Sequence, residues 1–120
     1  MTGTPIAPLE SIKDGAARGF IVERDGRKHD LILVRRGGAV FAYLNACPHL
    51  GTPLEIFPDK FLDYTGKRLL CSTHGACFRI EDGFCLSGPC EGRSLAAVPI
   101  GIADGMVLLT GPVPAPPIPG

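Results

Sequence analysis

Cys47-Pro48-His49 and Cys71-Ser72-Thr73-His74-Gly75 are the two stretches on which the reading of this chain turns. Each carries one thiol and one imidazole, one residue apart in the first stretch and two apart in the second. Leu50 to Leu70, 21 residues, separate His49 from Cys71. Two sulfur and two nitrogen donors grouped this way point to a metal site. Zinc favours pairs two to four residues apart, and Cys71/His74 meets that spacing whereas Cys47/His49 does not. A binuclear iron–sulfur centre suits a Cys-x-His turn better, because its two side chains then diverge to neighbouring metals. Gly51 and Gly75 let the backbone fold closely there, where a Cβ would intrude. The pattern favours a cluster. A zinc-stabilised binding module without redox chemistry is the competing reading from another class, and colour separates the two.

Three segments carry a family resemblance: C-P-H-L-G-T-P-L at 47–54, C-S-T-H-G-A-C-F at 71–78 and G-P-C-E-G-R-S-L at 88–95. They resemble the three cluster loops of Rieske 2Fe–2S proteins, and the likeness runs from about Phe41 to Leu109. The resemblance implies one 2Fe–2S cluster held by Cys47, His49, Cys71 and His74. It also implies an all-β, Rieske-like antiparallel sandwich or barrel with a small cluster-binding subdomain built from loops at about 45–90. The connection over 55–67 looks longer than in small relatives.

The whole chain fits that picture. At 120 residues it reads as a single domain, 1–120. Twelve acidic residues balance twelve Lys and Arg, so charge predicts neither nucleic acid nor an anionic membrane as partner. Met1-Thr2-Gly3-Thr4-Pro5 shows no export signal, and no apolar run is long enough to span a bilayer. A soluble, cytoplasmic protein is expected. Five cysteines in such a chain read as reduced thiols rather than a disulfide framework. Cys77 and Cys85 fall in strand-like stretches and read as small core or semi-buried residues, and Cys90 reads as a passive neighbour of the cluster in the third loop. His29 reads as a surface histidine.

Short apolar runs punctuated by sixteen glycines and twelve prolines predict strands throughout, with no helical rhythm. An extended segment over 5–12 leads into a strand at 19–24. Asp25-Gly26 marks a hairpin to 29–35, where Leu31-Ile32-Leu33-Val34 suits a strand buried on both faces. Residues 39–44 lead into the first ligand loop. An irregular connection, with room for a short helical turn, follows it to a strand at 67–70 that delivers Cys71. Residues 76–80 and 84–86 form a hairpin about Asp82-Gly83. Leu95–Ile102 and Met106–Thr110 pair across Asp104-Gly105. The tail, 111–120, holds five prolines and reads as an extended end lying against the surface or frayed, with disorder favoured over a docking role.

The chemistry follows from the donor set. Two ferric ions, two sulfides, two thiolates and two neutral imidazoles sum to about zero charge, against roughly −2 for an all-cysteine cluster. Adding an electron to a neutral centre is easier, so imidazole ligands raise the potential above that of plant-type ferredoxins. High-potential relatives add a disulfide between the ligand loops and hydroxyls against the cluster sulfurs. Thr52, Thr73, Ala76 and Phe78 stand at those positions here. The resemblance therefore implies a low-potential member, toward the lower end of roughly −150 to +300 mV. Leu50, Thr52, Thr73 and Pro89 would frame a neutral, mildly apolar tip suited to brief protein encounters. The expected role is an electron carrier rather than an enzyme, passing single electrons from a reductase to an aromatic-ring dioxygenase. The alternative is a small electron-transfer subunit of a larger reductase, such as nitrite reductase.

Overall fold

The computed structural model describes residues 3–48, 51–55, 57–72, 75–90 and 92–115. It contains nine strands: β1 (Thr4–Pro8), β2 (Ala17–Arg24), β3 (Arg27–Arg36), β4 (Ala39–Leu44), β5 (Arg68–Leu70), β6 (Cys77–Arg79), β7 (Cys85–Ser87), β8 (Ile100–Ala103) and β9 (Met106–Leu109). They make three antiparallel three-stranded sheets, ordered β1-β9-β8, β2-β3-β4 and β5-β6-β7. The all-β expectation holds. Among the described residues the one helical turn lies at Leu9–Ser11, inside the segment expected to be extended, and the 53–62 connection has none.

The middle sheet organises the rest. Leu31, Ile32, Leu33 and Val34 are all buried, as their unbroken apolar run predicts. Successive strand side chains point to opposite faces, so this run serves two cores. Ile32 and Val34 join Ala17 and Tyr43 in a core that also holds Cys47, Cys71, Phe61 and Phe78. Leu31 and Leu33 join Val22, Ala42 and Leu44 in a second core closed by Val107 and Leu109 of β9. One sheet thus supports the body on one face and the ligand loops on the other.

Turn chemistry sets the hairpins. Asp25-Gly26 and Asp104-Gly105 both carry two consecutive positive φ values, 54° and 77° in the first, 51° and 74° in the second. That is the conformation the Asp-Gly signal predicts for a two-residue hairpin whose twist matches its strands. The Leu95–Ile102 strand is shorter than its apolar run suggests, because regular pairing begins only at Ile100. Pro99 has no N–H to give a ladder. Residues 95–99 instead lie along β4 through Leu44 N–H to Ala96 O (2.9 Å), Val98 N–H to Ala42 O (2.9 Å) and a bridge of Tyr43 with Ala97.

Two irregular segments are firmly anchored. In the 55–67 connection, Phe61 is fully buried and Asp59 Oδ1 accepts from Gly19 N–H at 2.9 Å, fixing the excursion to β2. The start of the tail is docked rather than disordered: Arg24 Nη1 donates to Gly111 O at 2.6 Å, and Val113 packs against the second core. Residues 116–120 of the tail lie outside the described residues. Among the described residues no helix is long and apolar enough to cross a membrane.

Candidate metal centre

Cys47 and Cys71 sit in two loops with one backbone plan. Cys47 N–H donates to Thr52 O at 2.7 Å, and Cys47 O accepts from Gly51 N–H at 2.6 Å. Cys71 N–H donates to Ala76 O at 2.8 Å, and Cys71 O accepts from Gly75 N–H at 2.8 Å. Each loop therefore closes over six residues, and its fifth position is a glycine at nearly the same φ, 76° at Gly51 and 75° at Gly75. That left-handed conformation is what requires glycine. Among the described residues beyond its chain neighbours, a Cβ at Gly75 would meet no atom within 4 Å, so the conformation rather than crowding by them calls for glycine. Ser72 N–H donates to Leu54 O at 2.8 Å and stitches the two loops together.

Both thiols are fully buried within one apolar cluster, alongside Cys85 and Cys90. His49 and His74 lie outside the described residues, as do Leu50 and Thr73 of the expected tip. Thr52 and Pro89 are exposed there, as the tip expectation requires. Cys77 is half-buried on β6, and Cys85 is fully buried on β7. His29 is half-buried on β3.

The donor chemistry fits a Rieske centre. Two buried cysteines in an apolar shell need a cation to carry thiolate charge at this depth. The matched turns present them from two equivalent loops, and the expected histidines fall at the third position of one and the fourth of the other. Ala76 and Phe78, expected near the cluster sulfurs, are both fully buried beside the second loop.

Several residues support the loops in ways the sequence did not single out, although Gly88 and Arg93 fall in the third loop. Asn45 is the one buried polar side chain among the described residues. Its Oδ1 accepts from Leu54 N–H at 2.8 Å, and its Nδ2 donates to Glu55 Oε1 at 2.8 Å and Asp30 Oδ2 at 3.3 Å. It thus clasps the entry and exit of the first loop. Burial raises the Asp30 carboxyl above its usual range, Asn45 partly offsets this, and Glu55 adds to it. Arg93 Nη1 donates to Pro48 O at 2.9 Å, so a cation from the third loop holds the residue between Cys47 and His49. Gly88, φ 101°, lies against the second loop, and a Cβ there would stand 2.6 Å from the Ala76 Cα. Tyr43 OH donates to Ile80 O at 2.5 Å, tying the middle sheet to the end of β6. Its pKa is raised to about 12 by burial, with Asp82 and Glu81 adding to the shift.

A family model described as the Rieske [2Fe-2S] domain matches residues 4–107. Comparison with the curated proteins returns no match. Among solved structures, the ferredoxin of carbazole 1,9a-dioxygenase from Nocardioides aromaticivorans IC177 superposes with a TM-score of 0.70 at 22% identity, covering 92% of this chain and 98% of that one. The Sphingomonas yanoikuyae B1 ferredoxin gives 0.71 at 26% identity, covering 92% and 99%. A chain of the complex of reduced oxygenase and oxidized ferredoxin in carbazole 1,9a-dioxygenase gives 0.71 at 24% identity, covering 95% and 97%.

Proposed function

Because the chain belongs to the Rieske [2Fe-2S] domain family, we propose that it is a one-electron carrier whose cluster is held by Cys47, His49, Cys71 and His74. Its electrons would come from a reductase and pass to an oxygenase of the aromatic-ring dioxygenase type, so the chain is not itself the oxygenase. The observation that carries this reading is the pair of six-residue loops, each offering a buried cysteine on the same turn. The matched ferredoxins support the partner class, since this fold spans nearly their whole length and one solved complex joins a ferredoxin to an oxygenase.

When bound, the cluster supplies reversible one-electron chemistry at a potential above that of all-cysteine centres. The chain's own residues do the rest. Cys47 and Cys71 would hold it as thiolates from backbone turns already closed by hydrogen bonds. Leu54, Phe61, Phe78 and Leu95 keep water from the sulfurs. Asn45 and Arg93 hold the first loop, and Gly88 lets the third loop close against the second. With Ala76 and Phe78 in place of hydroxyl residues, this chain would offer the cluster sulfurs two fewer hydrogen bonds, which would keep the potential low.

Iron and acid-labile sulfide analysis with an EPR spectrum of the dithionite-reduced protein tests this assignment. The expected result is two irons and two sulfides per chain with a reduced-cluster signal, lost in His49→Ala and His74→Ala. A colourless protein with one zinc per chain would overturn it. Oxidation of the reduced protein by an aromatic-ring dioxygenase, followed in a stopped-flow mixer, tests the partner class.

A further inference from the structure

Beside the first ligand loop the middle sheet runs out of cover. Phe61 packs over Gly19 of β2, and Ile21, the next residue on the same face, is 72% exposed. A groove of about 460 Å³ opens there, with Ile21, Asp30, Pro53, Glu55, Pro58 and Asp59 in its walls. Phe57, next to Pro58 in the chain, is 67% exposed as well. A lone exposed isoleucine needs no explanation, whereas one set in an apolar groove marks a contact surface.

The charge of this groove is one-sided. The chain as a whole is neutral, yet among the described residues three carboxylates and no Lys or Arg line the groove. Arg18 reaches Asp59 at 3.9 Å, while Asp30 and Glu55 have no cation within ion-pair distance among the described residues. Those two share one donor, Asn45 Nδ2, and repel each other across it. Burial raises the Asp30 carboxyl, Asn45 lowers it, and Glu55 raises it again. An ammonium or guanidinium brought from outside would answer both carboxylates. The groove also adjoins the metal centre. Pro53 directly follows Thr52, whose carbonyl closes the first loop, and Ser72 N–H of the second loop donates to Leu54 O.

We propose that this groove seats the carrier's electron acceptor, a protein that enters it with a lysine or arginine flanked by an apolar side chain. The cation meets Asp30 and Glu55, and the apolar group covers Ile21. On the carrier reading, which this proposal presupposes, the acceptor meets the chain with an electron aboard and the donor meets it without. That added negative charge beside the groove strengthens the hold on a basic surface, and release follows once the electron has left. Groove and loop tip together suit the small, short-lived interfaces of electron transfer.

Ferrocytochrome c is the probe, because lysines ring its apolar haem edge and it exchanges no electron with either state of this protein. Its binding to the cluster-loaded protein is read by biolayer interferometry under argon, at low and at physiological salt. Binding should weaken steeply with salt and be about two-fold tighter for the dithionite-reduced protein. Ile21→Lys sets an ammonium directly across the strand pair from Asp30 and fills the groove with the chain's own charge. It should weaken binding about ten-fold and flatten the salt dependence. Ile102→Lys adds the same charge on β8, in another sheet, and should weaken binding by less than about two-fold. Ile21→Ser should cost about three-fold and keep the salt dependence. Equal losses in the two lysine variants, or wild-type binding by Ile21→Lys, would overturn the groove. Binding no tighter in the reduced protein would overturn the acceptor assignment. Absence of a reduced-cluster EPR signal would overturn the carrier reading instead, since groove binding is read without electron transfer.

Discussion

Loop 47–52 and loop 71–76 share a hydrogen-bonding plan, yet different forces hold each in place. The first is clasped by side chains arriving from outside it: Asn45 on Leu54 and Glu55, and Arg93 on Pro48. The second is held by its own sheet and by a neighbour without a side chain. It leaves β5 and enters β6, whose pairing runs from Arg68↔Arg79 to Leu70↔Cys77, and the Gly88 backbone closes against it. Two loops proposed to share one cluster therefore have unequal weaknesses. The first should fail through loss of polar contacts, the second through loss of space.

The largest effect tests the second loop. Gly88→Ala adds a Cβ 2.6 Å from the Ala76 Cα, in a backbone at φ 101°. Left-handed strain and overpacking together cost about 2 to 5 kcal/mol. The expected outcome is a much lower thermal midpoint and little retained iron, checked by calorimetry and iron analysis. A fully loaded, wild-type-stable variant would show that the third loop does not seat there.

Tyr43 tests the sheet behind the same loop. Its folded pKa is raised to about 12, from 10.0, because burial disfavours the phenolate. A raised pKa contributes stability that is full below pH 10 and is lost as pH climbs toward 12. Two pH units correspond to about 3 kcal/mol at most. Wild-type stability should fall through that window. Tyr43→Phe should start about 1 kcal/mol lower at neutral pH, having lost the bond to Ile80 O, and should show a flatter alkaline limb. Denaturant titrations at pH 8, 10 and 11.5 measure this. Parallel pH curves for the two proteins would remove Tyr43 from the account.

The difference between the loops also marks what the sequence could reveal. Local backbone rules are written in adjacent residues. Asp25-Gly26, Asp104-Gly105 and the glycine four places after each ligand cysteine all appear where turn chemistry needs them. The run Leu31–Val34 carried the two-faced core in four letters. Pro99 misled, because an apolar stretch around it looked like one strand, and regular pairing starts only after it. The supports of the first loop were hidden for another reason. An asparagine or an arginine in a loop is ordinarily solvated, and only folding shows that Asn45 is buried or that Arg93 reaches back 45 residues to Pro48. The 3.1 Å approach of the Cys85 and Cys90 sulfurs is hidden likewise, since a spacing of five residues places sulfurs together only if the third loop doubles back.

Asn45 is the main test of the first loop. Asn45→Ala leaves the buried Leu54 N–H without its acceptor and removes a clasp on Glu55. A cost of about 2 kcal/mol is expected. Asn45→Asp restores the acceptor but sets a third carboxyl beside Asp30 and Glu55, where burial already raises Asp30. Its pKa would be raised too, so this variant should approach wild type near pH 4 and lose ground as pH rises. Stability measured across pH 4 to 8 should show that divergence, and equal stability of wild type and Asn45→Ala would leave the first loop without its proposed clasp.

The smallest effect concerns charge rather than fold. The Arg93 guanidinium lies 2.9 Å from the carbonyl of Pro48, the residue between Cys47 and His49. A fixed positive charge this close to a centre that gains an electron favours the reduced form. Arg93→Gln should lower the midpoint potential by roughly 40 mV, equivalent to about 1 kcal/mol for a one-electron couple. Arg93→Lys keeps the charge, loses the directed fork, and should stay nearer wild type in potential while losing a similar amount of stability. Protein-film voltammetry and thermal melts on the two variants separate the roles. If both potentials match wild type while both melts fall, Arg93 is only a mechanical brace. If Gln alone shifts the potential, the first loop is both held and tuned by the same side chain, whereas the second loop, closed against Gly88, is held by fit.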